Sequence, residues 1–219
     1  MNITPAVLPH SFEEITEKLS RVEGLTTHIQ IDLCDGVFGR ERTWLPQGNE
    51  TLPSGFTYEF DIMLNDWNLY TMHALTLGAK SIVAHVDTFS DSDLESLVAM
   101  IAPHSAGLGI AVSNDKSLEF HADMVRKART LYSHVFIQVM GIRNIGEQGQ
   151  PFDEETVSRV TALKAQFGDV RLQVDGGIIP QTELLVKQAG ADTVVVGSDI
   201  FGSADSAGEI GRLSQVGNE

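Results

Sequence analysis

Short runs of β-branched and apolar residues alternate with stretches of helical spacing along this chain, and that alternation constrains its fold more than any other feature. The runs predict strands at 3–8, 28–33, 57–64, 81–86, 107–112, 134–140, 170–174 and 193–197. The stretches between them predict helices at 11–22, 67–77, 91–102, 115–129, 153–166, 180–188 and 204–214. Strands that alternate with helices pair in parallel through crossovers, and eight of them can close into a barrel without exposed edges. We therefore predict an α/β fold, a (β/α)8 TIM barrel, as one domain over residues 1–219.

Local signals mark where several helices begin and where one crossover lacks a helix. Ser11, Ser90 and Asn114 each offer a capping oxygen before an apolar periodicity begins. The segment "TWLPQGNETLPSG" after the second strand carries Pro46 and Pro53 and little helical pattern. We expect that crossover to be short or irregular.

Composition and charge exclude several classes of partner. The net charge is −15, which argues against binding to nucleic-acid backbones or anionic membranes. The chain has no apolar run long enough to cross a bilayer, and its start does not resemble a signal peptide. Cys34 is the only cysteine, so an internal disulfide cannot form. We expect a cytoplasmic protein without nucleic-acid or membrane partners and without an organic cofactor.

Polar and sulfur-containing side chains collect at the carboxyl ends of the predicted strands. These residues are Gln30 and Asp32, Asp61 and Met63, His85, Met140, and Asp175. Because the carboxyl ends of barrel strands converge on one face, we expect them to lie together. A buried charge needs a partner, an ion or a proton, so three carboxylates on apolar strands indicate a functional site. The alternative is that each aspartate only caps the loop that follows it.

Two neighbouring glycine-containing loops indicate a phosphate site. "DGG" contains Gly176 and Gly177 after the seventh strand, and "VVVGSDIFGS" contains Gly197 and Ser198 after the eighth. Bare backbone N–H groups can approach an anion closely, and the loops after strands 7 and 8 bind phosphate in many barrel enzymes. Each glycine pair alone would also suit an ordinary turn.

The loop 141–152 is a candidate for a lid over the ligand. Gly141, Gly146 and Gly149 provide hinges, and Gln150 is its best candidate for a polar contact with a ligand. A mobile surface loop without a role in binding would have the same composition.

Six segments together resemble the ribulose-phosphate 3-epimerase family over almost the entire chain. They are "IQIDLCDGVF", "DIML", "GAKSIVAHVDT", "GLGIAVSNDKSLEF", "GEQGQPF" and "VDGGIIPQTELLVKQAGADTVVVGSDIFG". The resemblance implies interconversion of D-ribulose 5-phosphate and D-xylulose 5-phosphate by proton transfer at C3. It also implies a TIM barrel of the ribulose-phosphate-binding type and a homo-oligomer, and it places the two acid–base groups at Asp32 and Asp175. Inversion at a carbon requires a base on one face and an acid on the other, which two aspartates can supply.

The chain departs from the family at positions that matter for a metal. Family members hold a divalent ion with two histidines and the two aspartates, whereas Gln30 and Asp61 stand at the histidine positions here. Gln30, Asp32, Asp61 and Asp175 form an all-oxygen set, which suits Mg²⁺ or Mn²⁺ better than Zn²⁺. Without an ion, three nearby carboxylates cannot all stay ionised, and one would carry a proton at neutral pH.

Other family positions leave alternatives open. The resemblance suggests that His85 orients an acid, although a satisfied core histidine fits the sequence too. Met63 and Met140 keep family positions in the substrate site and are equally compatible with core packing. Loss of both histidines is compatible with an epimerase, with an isomerase of another phosphorylated sugar, and with a non-catalytic barrel that binds a phosphosugar.

Overall fold

The computed structural model describes residues 1–216, and within them eight parallel strands form a closed barrel in sequence order. The strands are β1 (Asn2–Val7), β2 (His28–Cys34), β3 (Thr57–Met63), β4 (Ser81–His85), β5 (Gly107–Val112), β6 (Val135–Met140), β7 (Leu172–Asp175) and β8 (Thr193–Val196). Each strand pairs with the next, and β8 pairs with β1 to close the ring. The predicted TIM barrel is confirmed.

Eight α-helices follow the strands within the described residues. They are α1 (Phe12–Ser20), α2 (Trp67–Thr76), α3 (Asp91–Ile101), α4 (Leu118–Leu131), α5 (Glu155–Gln166), α6 (Pro180–Ala189), α7 (Ser198–Phe201) and α8 (Ser206–Val216). The one-turn helix α7 was not predicted, because four residues are too few to show helical periodicity. Within residues 1–216, none of these helices is long and apolar enough to span a membrane.

Serine side chains cap the first and third helices, as the sequence predicts. Ser11 accepts a hydrogen bond from the backbone N–H of Glu14 at the start of α1. Ser90 and Asp93 form a reciprocal capping box at the start of α3. Each cap satisfies backbone donors that the helix itself leaves unpaired.

The predicted cap of the fourth helix is wrong. Helix α4 begins three residues later than predicted, with Ser117 as its cap. The side chain of Asn114 instead donates to the backbone oxygen of Ile142 and to Asp153 Oδ2. Asn114 therefore joins the loop after β5 to the loop after β6.

The connection 35–56 between β2 and β3 contains no helix, as predicted. It crosses the barrel surface as extended and bent chain, anchored where Trp44 N–H donates to the backbone oxygen of Pro9 at 2.7 Å. The Trp44 ring also lies 5.4 Å from that of Phe12 on α1. Aromatic packing replaces the apolar face that a crossover helix would supply.

Strand register brings the polar strand ends to one height in the barrel. Asp32 on β2 pairs with Asp61 on β3, and Met140 on β6 pairs with Asp175 on β7. Because side chains alternate along a strand, Gln30 and Asp32 point to the same side. The carboxyl end of the barrel is therefore polar, while the layer between the strands and helices is apolar.

Candidate functional site

Three aspartates from three strands meet at the carboxyl end of the barrel. Asp32, Asp61 and Asp175 each present a carboxylate oxygen, and these oxygens lie within 4.8 Å of one another. Asp32 and Asp61 are buried, while Asp175 is partly exposed. Like charges this close repel strongly in a poorly solvated site, so the cluster needs protons, donors or a cation.

The Gln30 side chain lies between two of these acids. Its Nε2 donates to Asp32 Oδ1 at 3.0 Å and to Asp175 Oδ2 at 3.0 Å. Gln30 is fully buried, and its Oε1 has no hydrogen-bond partner among the described residues. One carboxamide therefore holds the carboxyl groups of β2 and β7 beside each other.

Asp61 is held from two other directions. His85 Nε2 lies 2.8 Å from Asp61 Oδ1, and Gln138 Nε2 donates to Asp61 Oδ2 at 2.7 Å. All three side chains are buried. Asp61 is fixed in position, because both of its carboxylate oxygens have hydrogen-bond partners.

Burial and mutual repulsion disfavour ionisation of the two other acids. Burial and then the Asp61 charge raise the pKa of Asp32 to about 8, against 3.8 for an ordinary aspartate. Burial and then the Asp32 charge raise the pKa of Asp175 well above its usual range. Burial lowers the pKa of His85, but the neighbouring Asp61 carboxylate raises it by more. The cluster thus retains a proton at neutral pH.

Asp32 and Asp175 open onto a cavity that is lined in part by five glycines, Gly146, Gly149, Gly176, Gly177 and Gly197. The other lining residues are Ala6, Leu8, Met63, Met140, Ile142, Glu147, Gln148, Gln150, Ile178, Val195 and Ser198. Gly176 and Gly177 have φ angles of 102° and 67°, a backbone conformation that residues with a side chain rarely adopt. The loops after β7 and β8 are therefore bare and close to the acids.

Two loops cover this end of the barrel and pair with each other. Arg40 N–H donates to the backbone oxygen of Ile145 at 3.1 Å, and Glu41 N–H donates to that of Gly146 at 3.0 Å. Gly146 packs so tightly that an added Cβ would lie 2.7 Å from Cys34 Sγ. The loop after β6, whose residues 146–150 line the cavity, is thus a cover that the connection after β2 holds in place.

The predicted site residues divide into two groups in the structure. Asp32, Asp175, Met63, Met140 and the glycine-loop residues line the cavity, as does Gln150. Gln30, Asp61 and His85 do not line it, and they lie behind Asp32 and Asp175.

Two glutamines of the site were missed by sequence reasoning. Gln148 lines the cavity, and its Nε2 lies 2.5 Å from where a Cβ on Gly197 would be. Gln150, the predicted contact, accepts a hydrogen bond from Asn144 Nδ2 at 2.9 Å. Gln138 lies two residues before Met140 on β6, so period-two spacing from Met140 could have identified it.

The donor set fits a divalent cation. Asp32, Asp61 and Asp175 could together hold a metal ion. The unpartnered Oε1 of Gln30 adds a fourth oxygen, because turning that carboxamide over places Oε1 where Nε2 now meets the two acids. Carboxylate and amide oxygens are ligands that hard cations accept.

The chain is similar to known phosphosugar enzymes over nearly its whole length. It is 25% identical to ribulose-phosphate 3-epimerase of Aquifex aeolicus, covering 98% of this chain and 96% of that protein. It superposes on 3-hexulose-6-phosphate synthase from Salmonella typhimurium with a TM-score of 0.68 at 17% identity, covering 99% and 98% of the two chains. It also superposes on KGPDC from Streptococcus mutans in complex with D-R5P with a TM-score of 0.68 at 12% identity, covering 98% and 96%.

The family assignment rests on a match along the chain. The model described as the ribulose-phosphate 3 epimerase family matches residues 2–201, which contain all eight strands and the acid cluster. This chain therefore belongs to the ribulose-phosphate 3-epimerase family.

Proposed function

We propose that this protein is an epimerase of a ketose phosphate that interconverts D-ribulose 5-phosphate and D-xylulose 5-phosphate. The observation that carries the proposal is the pair of carboxyl groups on Asp32 and Asp175, which share the Gln30 donor and face one cavity. The names of the family and of its Aquifex relative support this choice of reaction and substrate.

In the proposed reaction, the two aspartates act on opposite faces of C3. One carboxylate removes the C3 proton, and the electrons of that C–H bond move to the neighbouring carbonyl oxygen and form an enediolate. The other aspartate, in its acid form, then donates a proton to the opposite face of C3, and the carbonyl re-forms. Microscopic reversibility exchanges the two roles in the reverse direction.

The raised pKa values of the two acids suit this division of roles. The reaction needs one aspartate ionised and the other protonated in the same molecule. Burial and like-charge repulsion raise the pKa of Asp32 to about 8 and that of Asp175 well above its usual range. Two coupled acids therefore lose their protons in separate steps, which leaves one proton on the pair near neutral pH.

The loops after β7 and β8 are the proposed phosphate site. Backbone N–H groups of Gly176, Gly177, Gly197 and Ser198 would receive the phosphate, because their chain lines the cavity beside Asp175. Gln148, against Gly197, would contribute an amide from the cover. Backbone binding explains how a protein of net charge −15 can hold an anion.

A divalent ion would be held by Asp32, Asp61, Asp175 and the Gln30 carboxamide oxygen, and Mg²⁺ or Mn²⁺ suits these oxygens. Such an ion would stabilise the negative charge that develops on the enediolate oxygens. With or without a bound ion, Asp32 and Asp175 perform the proton transfer, and Gln30 and His85 keep the acids in place.

Proton NMR in deuterated water tests the proposal with pentulose 5-phosphates as substrates. Conversion of D-ribulose 5-phosphate to D-xylulose 5-phosphate, with deuterium at C3 of the product, is expected. Each assay is run with chelator and again with added Mg²⁺ or Mn²⁺. Absence of exchange under all of these conditions would refute the proposed activity.

A second candidate is a non-catalytic barrel that binds a phosphosugar. The replacement of both family histidines by Gln30 and Asp61 favours it. Calorimetry separates the two functions: binding of the sugar phosphate without turnover, unchanged by Asp32→Asn, would identify the non-catalytic barrel.

A further inference from the structure

A chain of hydrogen bonds between buried side chains runs along the inside of the barrel, from its amino-terminal end to the acid cluster. Gln173 Nε2 donates to Glu59 Oε1 at 2.7 Å and to Gln138 Oε1 at 2.6 Å. Gln138 Nε2 donates in turn to Asp61 Oδ2 at 2.7 Å. Two buried carboxamides, Gln173 and Gln138, thereby connect Glu59 to Asp61.

Arg171, at the amino-terminal end of this hydrogen-bond chain, determines which way the Gln173 amide points. Arg171 Nη1 donates to Gln173 Oε1 at 2.9 Å, so the oxygen of that amide faces a cation. The Arg171 guanidinium lies 4.0 Å from the centre of the Phe136 ring and 3.6 Å from Glu59 Oε2. A reversed Gln173 amide would place its NH₂ group against the guanidinium and its oxygen against Glu59 and Gln138. That orientation replaces three attractive contacts with three repulsive ones.

The orientation of Gln173 then determines the orientation of Gln138. With Oε1 of Gln138 bound to the Gln173 donor, its NH₂ group must face the acids. It lies 2.7 Å from Asp61 Oδ2 and 3.4 Å from Asp175 Oδ2. A reversed Gln138 would present an oxygen to Asp61 Oδ2, and the two oxygens would repel each other.

We propose that Arg171 and Glu59, at the end of the barrel opposite the cavity, are positioning residues that fix the donor orientation of Gln138 toward Asp61 and Asp175 by way of Gln173. The catalytic part of this inference rests on the proposed epimerase function. Neither Arg171 nor Glu59 lines the substrate cavity. Any effect of these two residues on the reaction is therefore transmitted by the hydrogen-bond chain.

Arg171→Met is the test variant, because the methionine keeps an apolar chain over Phe136 and removes the donor to Gln173. Lys80→Met is its matched control. Lys80 also immediately precedes a strand, β4, at the same end of the barrel, and its side chain is exposed. Gln173→Glu is a second variant of the same size, whose carboxylate form accepts from Arg171 but cannot donate to Gln138.

Side-chain NMR of ¹⁵N-labelled protein tests the orientation without reference to activity. The carboxamide signals of Gln138 are assigned as the pair lost in Gln138→Leu. Arg171→Met and Gln173→Glu should each shift or broaden this pair, and Lys80→Met should leave it in place. Unchanged Gln138 signals in both variants would overturn the inference, whether or not the wild-type protein is an epimerase.

Kinetics of C3 exchange then test the catalytic consequence. Arg171→Met should lower kcat by roughly tenfold, the size expected for loss of one charge-assisted contact, with KM within about twofold. Lys80→Met should match the wild type. Exchange that is absent in the wild type contradicts the proposed function, whereas a wild-type kcat in Arg171→Met, with active wild-type protein, contradicts the positioning role.

Discussion

Gln30 on β2 donates a 3.0 Å hydrogen bond to Asp175 on β7, across the mouth of the barrel. The same nitrogen binds Asp32 on its own strand. Two acids on strands that are not neighbours are thereby held at one donor. This contact, rather than either aspartate alone, fixes the geometry that the proposed reaction requires.

Gln30→Leu should lower kcat for C3 exchange by about 10- to 100-fold, because it removes hydrogen bonds from two carboxyl groups. KM should stay within about twofold, since Gln30 does not line the cavity. Steady-state kinetics separates the two parameters. A raised KM at unchanged kcat would instead make Gln30 a substrate ligand.

Asp32→Asn should stabilise the fold at high pH, by an amount that falls as the pH is lowered. The folded protein binds the Asp32 proton more tightly than the unfolded chain, because its pKa is about 8 when folded and 3.8 in an ordinary aspartate. The stability linked to this proton is therefore fully present below about pH 4 and is lost as pH rises through about 8. Urea unfolding in the presence of chelator should show the variant more stable than wild type at pH 8.5. The difference should shrink toward pH 5, and a constant difference would contradict the raised pKa.

His85→Leu should destabilise the fold by about 3–5 kcal/mol, because it leaves Asp61 buried without its closest cationic partner. The pKa of His85 is raised, so its ion pair contributes fully below the ordinary value of 6.5 and is lost as pH rises through the folded value. Urea unfolding should therefore show a larger penalty at pH 6 than at pH 9. His10→Leu is the control, because that exposed histidine lies 3.6 Å from Glu41 and should contribute less than about 0.5 kcal/mol. Equal penalties for both variants would mean that the buried pair is not formed.

Gly146→Ala should lower kcat/KM by about 100-fold, because displacing a cover by an ångström misplaces the groups around the substrate. An added Cβ would lie 2.7 Å from Cys34 Sγ and 2.9 Å from Gly39 Cα. Gly78→Ala is the matched control, since Gly78 also has a positive φ but has no atom within 4 Å of that position. Control kinetics should equal the wild type at a stability cost of about 1 kcal/mol. Equal kcat/KM for both variants would show that the cover is not needed.

Much of the fold could be predicted because hydrophobic periodicity and serine caps are local signals. The alternation of strands and helices gave the barrel, and Pro46 and Pro53 indicated the connection without a helix. The error at Asn114 arose because its competing partners, Ile142 and Asp153, are distant in sequence. No local pattern reports a contact of that kind.

Only the part of the site that lies at the carboxyl ends of the strands could be predicted from the sequence. Convergence at the carboxyl end of a barrel predicted that Asp32, Asp61 and Asp175 would approach one another, which the oxygen distances match. The buried glutamines Gln138 and Gln173 were not recognised, because their role depends on which amide faces which neighbour across the barrel. Orientation of that kind is a property of packing and not of spacing along the chain.

The most direct test of the two-aspartate claim follows C3 deuterium exchange in Asp32→Asn and Asp175→Asn with each purified pentulose 5-phosphate epimer. Each variant keeps a base on one face only. Neither variant should interconvert the epimers, and the two variants should exchange opposite epimers. Exchange of the same epimer by both variants, or full epimerisation by either, would contradict it.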